Sequence, residues 1–558
     1  MSASRRHGSA VLIMLALGLA MSSSLAGTIY VDQANATGVE DGTEAFPFTR
    51  IQVGIGNAVI GDKVVVAPGT YKEAVVMLDG VSVIGAGWRT TIIDASIENG
   101  STVTFDHTRL GPVLSGFTIT GGSGDQRSDV GGVPVTIGGG ILILNSSPVI
   151  RDNLIIGNVL DEGYCLGAGI YIDAQNTDHP TIEKNVIMNN VARSTTVVDE
   201  GRGGAIYATV KNGGATISGN RIEGNLSFEG GGVMVDNMSN ATVTIERNTI
   251  RDNEAVSGAG VWLFDSDGST TQVINNLFVG NHSDAATAVG GGILAQANGT
   301  GSMHIVNNTF VHQALLLGTG AAMWLDDSAA ATTDSLVANN IFAFNQALTG
   351  GGIDHTTFSG TIRNNDLHAN AGGDLYDAGG STATLIDNVF VDPQLNLTHK
   401  NTYRLGPAST LIDAAADDVA PPEDHGAFPR PFDGNDDATA QSDFGACEYP
   451  AREIDGLRFV GATLMDWGVQ SLQETYNVYR GSLATLRSTG EYTQDPLAEP
   501  LAAQFCGVLP GEMPLEDIVI PAETEILFYL VTLEIAGWEG ALGDASDRFP
   551  RANTRQCP

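Results

Sequence analysis

Positive charge is scarce in this chain, and its scarcity excludes two classes of partner. Of 558 residues only 27 are Lys or Arg, against 64 Asp or Glu, so the formal net charge is −37. Only five residues are Lys, and no basic stretch follows the N-terminus. A surface of this sign repels phosphate backbones and anionic lipid. Nucleic acid and anionic membranes are therefore excluded as main partners.

Long apolar runs are missing beyond the N-terminus, so no membrane span is expected in the mature protein. Residues 1–26 are typical of a signal peptide. Arg5 and Arg6 precede an apolar stretch at 11–20, and Ser24-Leu25-Ala26 provides a small-residue cleavage site. A retained membrane anchor is the alternative interpretation. We expect a secreted or cell-surface monomer that folds in an oxidising compartment.

Glycine is abundant, with 70 residues, and belongs to a repeat. A ten-residue phrase places an Asn between two apolar pairs, as in VIRDNLIIGN and TIERNTIRDN. The central asparagines of successive phrases are Asn153, Asn185, Asn220, Asn248, Asn276, Asn308, Asn340, Asn365 and Asn388. Between phrases, clustered glycines lead into a short apolar strand, as in GGGILIL at 138 and GAGVWLF at 258. No window between them has the periodicity of a helix.

This repeat predicts an all-β fold, a right-handed parallel β-helix of about 10–13 coils. Each period would form one coil, with alternate apolar residues filling the bore. We expect the central Asn to adopt the left-handed conformation at a sharp corner and to pair through its amide with the Asn of the next coil. The alternative is that the asparagines form turns without such a ladder. The glycines permit the other tight corner.

The beginning of the predicted rod resembles a known superfamily. Residues 28–87 contain TIYVDQANATG, DGTEAFPFTRIQVGIGNAVIGDKVVVAPGTYKE and VSVIGAG, which resemble the N-terminal part of secreted pectate-lyase-like β-helix proteins. The resemblance implies an N-terminal cap with the first coils at 27–105, and the coils that carry the Asn ladder at 106–395. This superfamily has many activities, so the resemblance concerns fold more than function.

The segment at 396–450 resembles the part that closes β-helix proteins of the choice-of-anchor Q type. It contains LGPASTLIDAA and RPFDGNDDATAQSDFGACEYP. Asp443, Gly445, Ala446 and Glu448 match the family phrase D-I-G-A-Y-E, in which Cys447 replaces an aromatic residue. The resemblance implies a C-terminal cap and a location at the cell surface or outside the cell.

Residues 451–558 differ from the repeat and contain alternating strands such as ETYNVYRG and ILFYLVTLEIAGWEG. They are similar to a fibronectin type III-like β-sandwich, whose expected core aromatics are Trp467, Tyr476 and Tyr529. In an exported protein, the two cysteines of this unit, Cys506 and Cys557, are predicted to form a disulfide. Cys165 and Cys447 lie far apart in the sequence and are expected to be unpaired.

One face of the predicted rod has the side chains of a glycan-binding groove. We expect the first strand residue after each glycine cluster to point into the bore, namely Ile141, Ile170, Ile206, Val233, Val261, Ile293, Met323 and Ile353. The next residue and the one two further along then point outward. This places on one face the predicted glycan-binding residues Tyr171, Asp173, Tyr207, Asp236, Trp262, Gln296, Trp324 and Asp326.

Flat rings stack on pyranose faces, while carboxylates and amides accept hydrogen bonds from hydroxyl groups. The coil spacing of ~4.8 Å is close to the length of one sugar residue. The sequence thus predicts a protein that binds polysaccharide or cell-surface glycan along this face. The alternative is that loops or the C-terminal sandwich cover the face, which makes the aromatic residues a satellite core.

Catalysis by the same face is a second hypothesis. Glycoside hydrolysis needs two carboxyl groups about 5–9.5 Å apart, and neighbouring coils could supply them from Asp236 with Asp265 or from Asp326 with Asp354. The adjacent Asp354 and His355 resemble the Asp-His of a pectate-lyase motif. A polysaccharide lyase needs a base and a group that neutralises the acid, and neither outward row of this face contains Arg or Lys. A third hypothesis is an adhesin-like rod with a structural role.

One loop has the oxygen ligands that Ca²⁺ prefers. Asp433, Asn435 and Asp437 form a D-x-N-x-D cluster. The alternative is a solvated acidic turn. No other cofactor is predicted, and the sequence does not identify the glycan.

Overall fold

The fold is described from a computed structural model. The structure describes residues 26–130, 133–197, 200–330, 334–396, 403–435, 437, 439–449, 457–461, 463–467, 475–522, 525–535, 538–539, 553 and 555–557. The predicted signal peptide, apart from Ala26, lies outside these residues. Three long parallel sheets run along a rod, and successive coils add one strand to each sheet.

Sheet 1 is formed by the strands that follow the glycine clusters and their equivalents in the first coils. Its eleven strands are Val75–Val76, Val103–Asp106, Ile141–Leu144, Ile170–Gln175, Ile206–Lys211, Val233–Met238, Val261–Asp265, Ile293–Gly299, Met323–Ala330, Ile353–Thr357 and Leu375–Tyr376.

Sheets 2 and 3 are formed by the strands before and after the central Asn. The thirteen strands of sheet 2 are Thr28–Val31, Lys63–Val66, Ser82–Gly85, Val113–Ser115, Val149–Arg151, Thr181–Glu183, Gly214–Ser218, Thr242–Glu246, Thr270–Ile274, Ser302–Val306, Leu336–Ala338, Thr361–Arg363 and Thr384–Ile386. The eleven strands of sheet 3 are Gly69–Tyr71, Thr91–Asp94, Thr118–Thr120, Leu154–Ile156, Val186–Met188, Arg221–Glu223, Thr249–Arg251, Leu277–Val279, Thr309–Val311, Ile341–Ala343 and Asp366–His368.

Short strands extend the corners of some coils. One small sheet contains Asp125–Val130, Val133–Ile137 and Tyr164–Leu166, and another contains Val159–Leu160, Val191–Ala192 and Leu226–Ser227. A further pair consists of His282–Ser283 and Ala314–Leu315.

The core of the rod is its bore. All eight residues predicted to point inward from sheet 1 are buried, and equivalent residues such as Ile141 and Ile170 pair in register from coil to coil. On sheet 3, Phe278, Phe310 and Phe342 stack in the bore, with neighbouring ring centroids 4.5 and 4.8 Å apart. The 13 strands of sheet 2 give a rod of about 58 Å, at ~4.8 Å per coil. The predicted parallel β-helix is confirmed.

The predicted asparagine ladder is present. The Nδ2 atom of each central Asn, from Asn153 to Asn365, donates to the Oδ1 atom of the next at 2.9–3.2 Å. The expected left-handed conformation of these asparagines is wrong. The residue before each of them adopts it, for example Asp152 at φ 56° and Arg247 at φ 53°. That residue turns the chain and points outward, which leaves the Asn free to point inward.

A second ladder runs parallel to the first at the corner after sheet 3. Its members are Asn158, Asn190, Asn225, Asn253, Asn281, Gln313, Asn345 and Asn370. We did not predict this ladder, although most of the repeated phrases end in Asn. Gln313 continues the row because its longer side chain still accepts from Asn281 Nδ2 at 3.0 Å.

The N-terminal end of the rod is closed by the helix Ile51–Gly56. Ile51 and Ile55 are buried and belong to the core of the bore. Position 54 of the helix requires glycine, because a Cβ there would lie 2.7 Å from Val31 Cγ2. The helix therefore lies directly on the first coil.

Residues 403–435, 437 and 439–449, the flanking segment, lie along the side of the rod. We predicted this part as a C-terminal cap, and the contacts that the structure shows are with the corner between sheets 2 and 3. Asn275 Nδ2 donates to Glu423 O at 2.6 Å, and Asn339 Nδ2 donates to Ala416 O at 2.9 Å. Outward apolar residues of sheet 3, such as Ile341, pack against it.

The motif that suggested the choice-of-anchor Q type holds the flanking segment together. Asp443 is buried and accepts from the backbone N–H groups of Asp413 and Tyr449. Glu448 is buried beside Arg430, with 2.8 Å between Oε1 and Nε. Burial raises the pKa of Glu448 to about 7, while the Arg430 charge opposes that rise.

The C-terminal unit consists of two small antiparallel sheets. One contains Arg458–Phe459, Leu464–Asp466 and Leu515–Glu516, and the other contains Ala503–Val508, Thr475–Ser482, Leu527–Ile535 and Trp538–Glu539. The helix Leu483–Thr489 and the 3₁₀ helix Pro510–Glu512 connect strands. No helix among the described residues is long and apolar enough to cross a membrane.

The core of this unit contains two of the three predicted aromatic residues. Trp467 and Tyr476 are buried with ring centroids 5.5 Å apart, and the partly buried Tyr529 packs against them. The predicted disulfide between Cys506 and Cys557 is confirmed. The other two cysteines of the chain, Cys165 and Cys447, are buried and unpaired.

Candidate functional site

The outer face of sheet 1 is the predicted glycan-binding surface. Its first outward row pairs in register from coil to coil and contains Tyr171, Tyr207, Met234, Trp262, Leu294 and Trp324. The predicted residues therefore share one face. The row is less exposed than predicted, because Tyr207, Met234 and Leu294 are only 6%, 5% and 3% exposed. The other three side chains, Tyr171, Trp262 and Trp324, are half-buried.

Close contact with the glycine corners explains part of this burial. Gly258 begins one cluster in the left-handed conformation, at φ 58°, and a Cβ there would lie 2.8 Å from Trp262 Cβ. The backbone of the corner therefore lies against the base of the outward side chain. Neighbouring side chains also cover each other, since the rings of Tyr171 and Tyr207 stack with centroids 5.6 Å apart.

The C-terminal part of the face, the aromatic half, consists of Trp262, Phe264, Gln296, Trp324 and Asp326. All five side chains are half-buried. Phe264, Gln296 and Asp326 occupy the second outward row, and they pair in register on adjacent strands. The indole Nε1 of Trp262 donates to Gln296 Oε1 at 3.2 Å, which fixes the ring relative to the strand. This half offers partly exposed rings beside polar groups.

The N-terminal part of the face, the charged half, consists of Tyr171, Arg202, Tyr207, Glu229 and Asp236. Arg202 Nε lies 2.8 Å from Glu229 Oε2. Both residues belong to a row of single β-bridges that precede the glycine clusters. The expectation that no cation would serve this face is therefore wrong. Arg202 reaches it from the corner before Gly203 and not from a strand, so alignment of the strands could not place it.

Burial dominates the electrostatics of the charged half. It raises the pKa of Glu229 and of Asp236, and the Arg202 charge opposes both shifts. It also raises the pKa of Tyr207 to about 12, and the charge of Asp236 adds to that rise. The pKa of Tyr171 is raised by burial and then by Tyr207. These groups therefore favour their neutral forms more than they would in water.

Asp236 differs chemically from the other carboxylates of the face. Among the described residues, no donor makes a hydrogen bond to its carboxyl group. Asp173, by comparison, accepts from Gln175 Nε2 at 3.0 Å. A half-buried carboxyl group with a raised pKa, no hydrogen-bond donor and a nearby guanidinium can exchange a proton or accept a hydroxyl hydrogen bond.

The predicted pairing of Asp236 with Asp265 is wrong. The register places Asp236 beside Phe264 and Asn237 beside Asp265. Asp265 therefore points into the bore, where it is fully buried and accepts from Asn237 Nδ2 at 2.7 Å and Thr271 Oγ1 at 2.8 Å. The two carboxyl groups lie on opposite sides of the sheet because side chains alternate along a strand.

The second predicted pair of carboxyl groups, Asp326 and Asp354, lies at the C-terminal end of the face, where both residues contact their neighbours. Asp354 is buried, pairs in register with Trp324, and accepts from Thr319 Oγ1 at 2.6 Å. Asp326 lies in the other outward row, beside Thr357 across a bulge. His355 is buried with Nδ1 2.9 Å from Ser381 Oγ, and burial lowers its pKa.

The candidate calcium loop is organised by its own backbone. The amide N–H of Asp437 donates to Asn435 Oδ1 at 2.9 Å and to Asp433 Oδ1 at 3.1 Å. The backbone N–H groups of Gly434 and Asn435 donate to Asp413. Within the described residues, no three His, Cys, Asp or Glu side chains are arranged to hold a metal ion. The loop geometry is that of a capped turn.

Comparison with known proteins identifies the fold class. The family model described as "Right handed beta helix region" matches residues 194–310. The chain is thus a right-handed parallel β-helix protein with a small β-sandwich after the rod. No curated protein matches it.

Several solved structures are similar to the chain at low identity. The chain is similar to pectate lyase Pel9A, at 12% identity and a TM-score of 0.41, over 76% of this chain and 97% of that one. It is similar to XylC in complex with xylose, at 11% identity and a TM-score of 0.41, over 76% and 98%. The polygalacturonase from Erwinia carotovora ssp. carotovora matches at 10% identity and a TM-score of 0.31, over 66% and 96%.

Proposed function

We propose that this protein binds polysaccharide along the outer face of sheet 1. The observation that carries the proposal is the aromatic half, where Trp262 and Trp324 occupy equivalent register positions of a parallel sheet beside Gln296 and Asp326. Rings in a straight row stack on successive sugars, and the amide and carboxylate groups accept hydroxyl hydrogen bonds. The burial of Tyr207, Met234 and Leu294 limits the stacking surface to the half-exposed rings.

The location and type of the protein belong to the same proposal. An exported, cell-surface or secreted protein meets polysaccharide outside the cell, where a disulfide such as Cys506–Cys557 persists. We further propose that the rod is of the choice-of-anchor Q type and that the C-terminal unit is a fibronectin type III-like module. Mass-spectrometric N-terminal sequencing of the exported protein, with cleavage after Ala26 expected, tests the export step.

Binding is tested with paired substitutions. Trp262→Ala together with Trp324→Ala should weaken binding to the recognised polysaccharide at least about tenfold, because each substitution removes a stacking ring. A glycan array followed by affinity electrophoresis measures the loss. Trp88→Ala is the matched control, since Trp88 is also partly exposed but lies at the N-terminal end of the rod. Unchanged binding by a correctly folded double variant contradicts the proposal.

Cleavage of the bound polysaccharide is a second candidate function, favoured by the charged half. Asp236 would exchange a proton with the polysaccharide, and Arg202 would neutralise the negative charge that develops on the polysaccharide during the reaction. Asp236→Asn should lower turnover at least about a hundredfold while leaving binding intact, because the amide cannot exchange a proton. Reducing ends and unsaturated-uronate absorbance measure turnover. Asp173→Asn is the control on the same face. Absence of turnover across a polysaccharide panel leaves binding, or an adhesin-like rod, as the function.

A further inference from the structure

We propose that the aromatic half recognises a neutral, straight glycan chain with β-1,4 linkages. This inference rests on the proposed binding function and names the class of ligand. Three observations carry it: the charge of this part of the rod, the spacing of the two tryptophans, and the way their side chains are held.

The charge of the aromatic half excludes acidic sugars. No residue from 252 to 362 is Lys or Arg. The three strands that carry the aromatic half, Val261–Asp265, Ile293–Gly299 and Met323–Ala330, lie inside that stretch. A uronate chain would find no Lys or Arg on these strands or their corners to balance its own charge, and its carboxylates would lie close to that of Asp326, where like charges repel. A neutral sugar meets no such penalty, and its hydroxyl groups can donate to the carboxylate.

The spacing of the tryptophans favours a two-fold chain. Trp262 pairs in register with Leu294, and Leu294 pairs with Trp324, so the two tryptophans are two coils apart. Two coils rise by about 9.6 Å, which is close to the length of two sugar residues. In a straight β-1,4 chain each sugar is turned by half a revolution from the previous one. Every second sugar therefore presents the same ring face to the protein, at the spacing of the two tryptophans that would stack on it.

The residue between the two tryptophans fits the same pattern. Leu294 is 3% exposed and lies low on the sheet, so the intermediate sugar has no stacking ring beneath it. Its hydroxyl groups can instead reach Gln296, two residues along the same strand, whose amide also holds the Trp262 ring. Chains that coil, such as α-1,4 or β-1,3 glucans, turn away from a straight row after one or two residues.

Isothermal titration of the full-length protein with defined hexasaccharides tests this inference. The probes are β-1,4-linked gluco-, xylo-, manno- and N-acetylglucosamine oligomers, with oligogalacturonate, β-1,3-glucan and α-1,4-glucan hexamers as comparisons. We expect at least one neutral β-1,4 hexamer to bind about tenfold or more tightly than the acidic and coiled chains. Trp262→Ala and Trp324→Ala should each weaken that binding about tenfold, Trp262→Phe less, and Trp88→Ala not at all.

The outcomes separate this inference from the proposed function. Preference for oligogalacturonate, or for a coiled neutral glycan, overturns the inference and leaves polysaccharide binding intact. Loss of discrimination between disaccharides and hexamers also overturns it, because a chain of fewer than three sugars can stack on only one of two rings that lie two sugars apart. Failure of every probe and of a polysaccharide panel to bind overturns the proposed function as well. Circular dichroism of each variant establishes that its fold is unchanged.

Discussion

At the scale of single residues, Asp265 is a carboxyl group placed inside an otherwise apolar bore. Its Oδ1 atom accepts from Asn237, Thr271 and Ser269, whereas its buried Oδ2 atom has no hydrogen-bond partner among the described residues. Burial raises its pKa to about 7, against the opposing effect of those three hydrogen bonds. The neutral form, with its proton on Oδ2, suits this site because a charge without a partner there is costly.

The raised pKa of Asp265 predicts how stability depends on pH. Unfolding returns the group to its ordinary pKa of 3.8, so the folded state holds a proton that the unfolded state releases between pH 4 and 7. The stabilisation is complete below pH 4 and is lost as the pH rises towards 7. Asp265→Asn keeps the shape and cannot ionise. We expect its stability relative to the native protein to rise by about 2–3 kcal/mol from pH 4.5 to pH 8.

Denaturant unfolding at the two pH values measures this difference. The matched control is Asp267→Asn, the same substitution at an exposed residue of the adjoining turn. Other buried acids, such as Asp366 with a pKa raised to about 7, make the same contribution to the pH dependence of stability in the native protein and in both variants. Their effect therefore cancels in the differences. A pH-independent difference for Asp265→Asn would show that the carboxyl group is already ionised in the bore.

At the scale of the coil, the two amide ladders tie each turn of the rod to the next. Asn276, in the middle of the first ladder, donates to Asn308 Oδ1 and to two carbonyl oxygens. It also accepts from the backbone and side-chain amides of Asn248. One side chain thus satisfies buried groups of three coils.

Replacement of Asn276 by Ala leaves several of these buried groups without partners. We expect Asn276→Ala to lower the free energy of unfolding by about 3 kcal/mol or more. Asn388→Ala, at the end of the same ladder, is the comparison. Asn388 is only half-buried, and among the described residues no strand of sheet 2 follows its coil, so the loss should be about 1 kcal/mol. Equal losses for the two variants, measured by chemical denaturation, would mean that the ladder does not link coils.

The regular parts of each coil could be predicted from the sequence, and the corners could not. Alternation fixes which way Ile141 or Val261 points, since a strand has only two sides. The ladder follows from Asn recurring in phase with that alternation. Which corner residue turns the chain is a local backbone matter, and Asp152 takes that role because its own side chain need not enter the bore. The alternation also does not predict how exposed an outward side chain is, because Tyr207 points outward and is nevertheless buried.

At the scale of the whole molecule, the two units differ in what holds them together. The rod depends on the bore and the ladders, whereas the C-terminal unit has a small core and one disulfide. The bridge joins residues 51 apart in sequence. In the chain-entropy model, a loop of that length contributes about 4 kcal/mol by restricting the unfolded chain.

Reduction should therefore affect one unit only. We expect calorimetry of the whole protein to show a transition of the C-terminal unit that moves to lower temperature with reductant, while the transition of the rod stays in place. Cys506→Ser with Cys557→Ser should reproduce the shift without reductant. Cys165→Ala provides the control, because that thiol is unpaired and lies in the rod. A shift of the rod transition in the double variant would contradict independent stability.

The charged half of the candidate site depends on the assembled coil, which is why the sequence did not reveal it. Arg202 and Glu229 come from corners of adjacent coils that are 27 positions apart in the chain, and only the bridge between them fixes their contact. Equally, Asp236 and Asp265 were paired as neighbours on adjacent strands, and one residue of offset placed Asp265 in the bore. Because side chains alternate along a strand, an alignment error of one residue moves a side chain to the other side of the sheet.

The flanking segment has a mechanical consequence. After the last coil the chain contacts Asn339 through Ala416 and reaches the level of Arg247, which pairs with Glu423. It then returns to Asn339 through Gly445 before it continues into the C-terminal unit. A pull on that unit is therefore delivered to the flank of the rod, beside earlier coils. The final coils, which follow Asn365, meet the same segment through Val389 and Leu395. Force on the C-terminal unit therefore enters the rod from its side and not along the stack of coils.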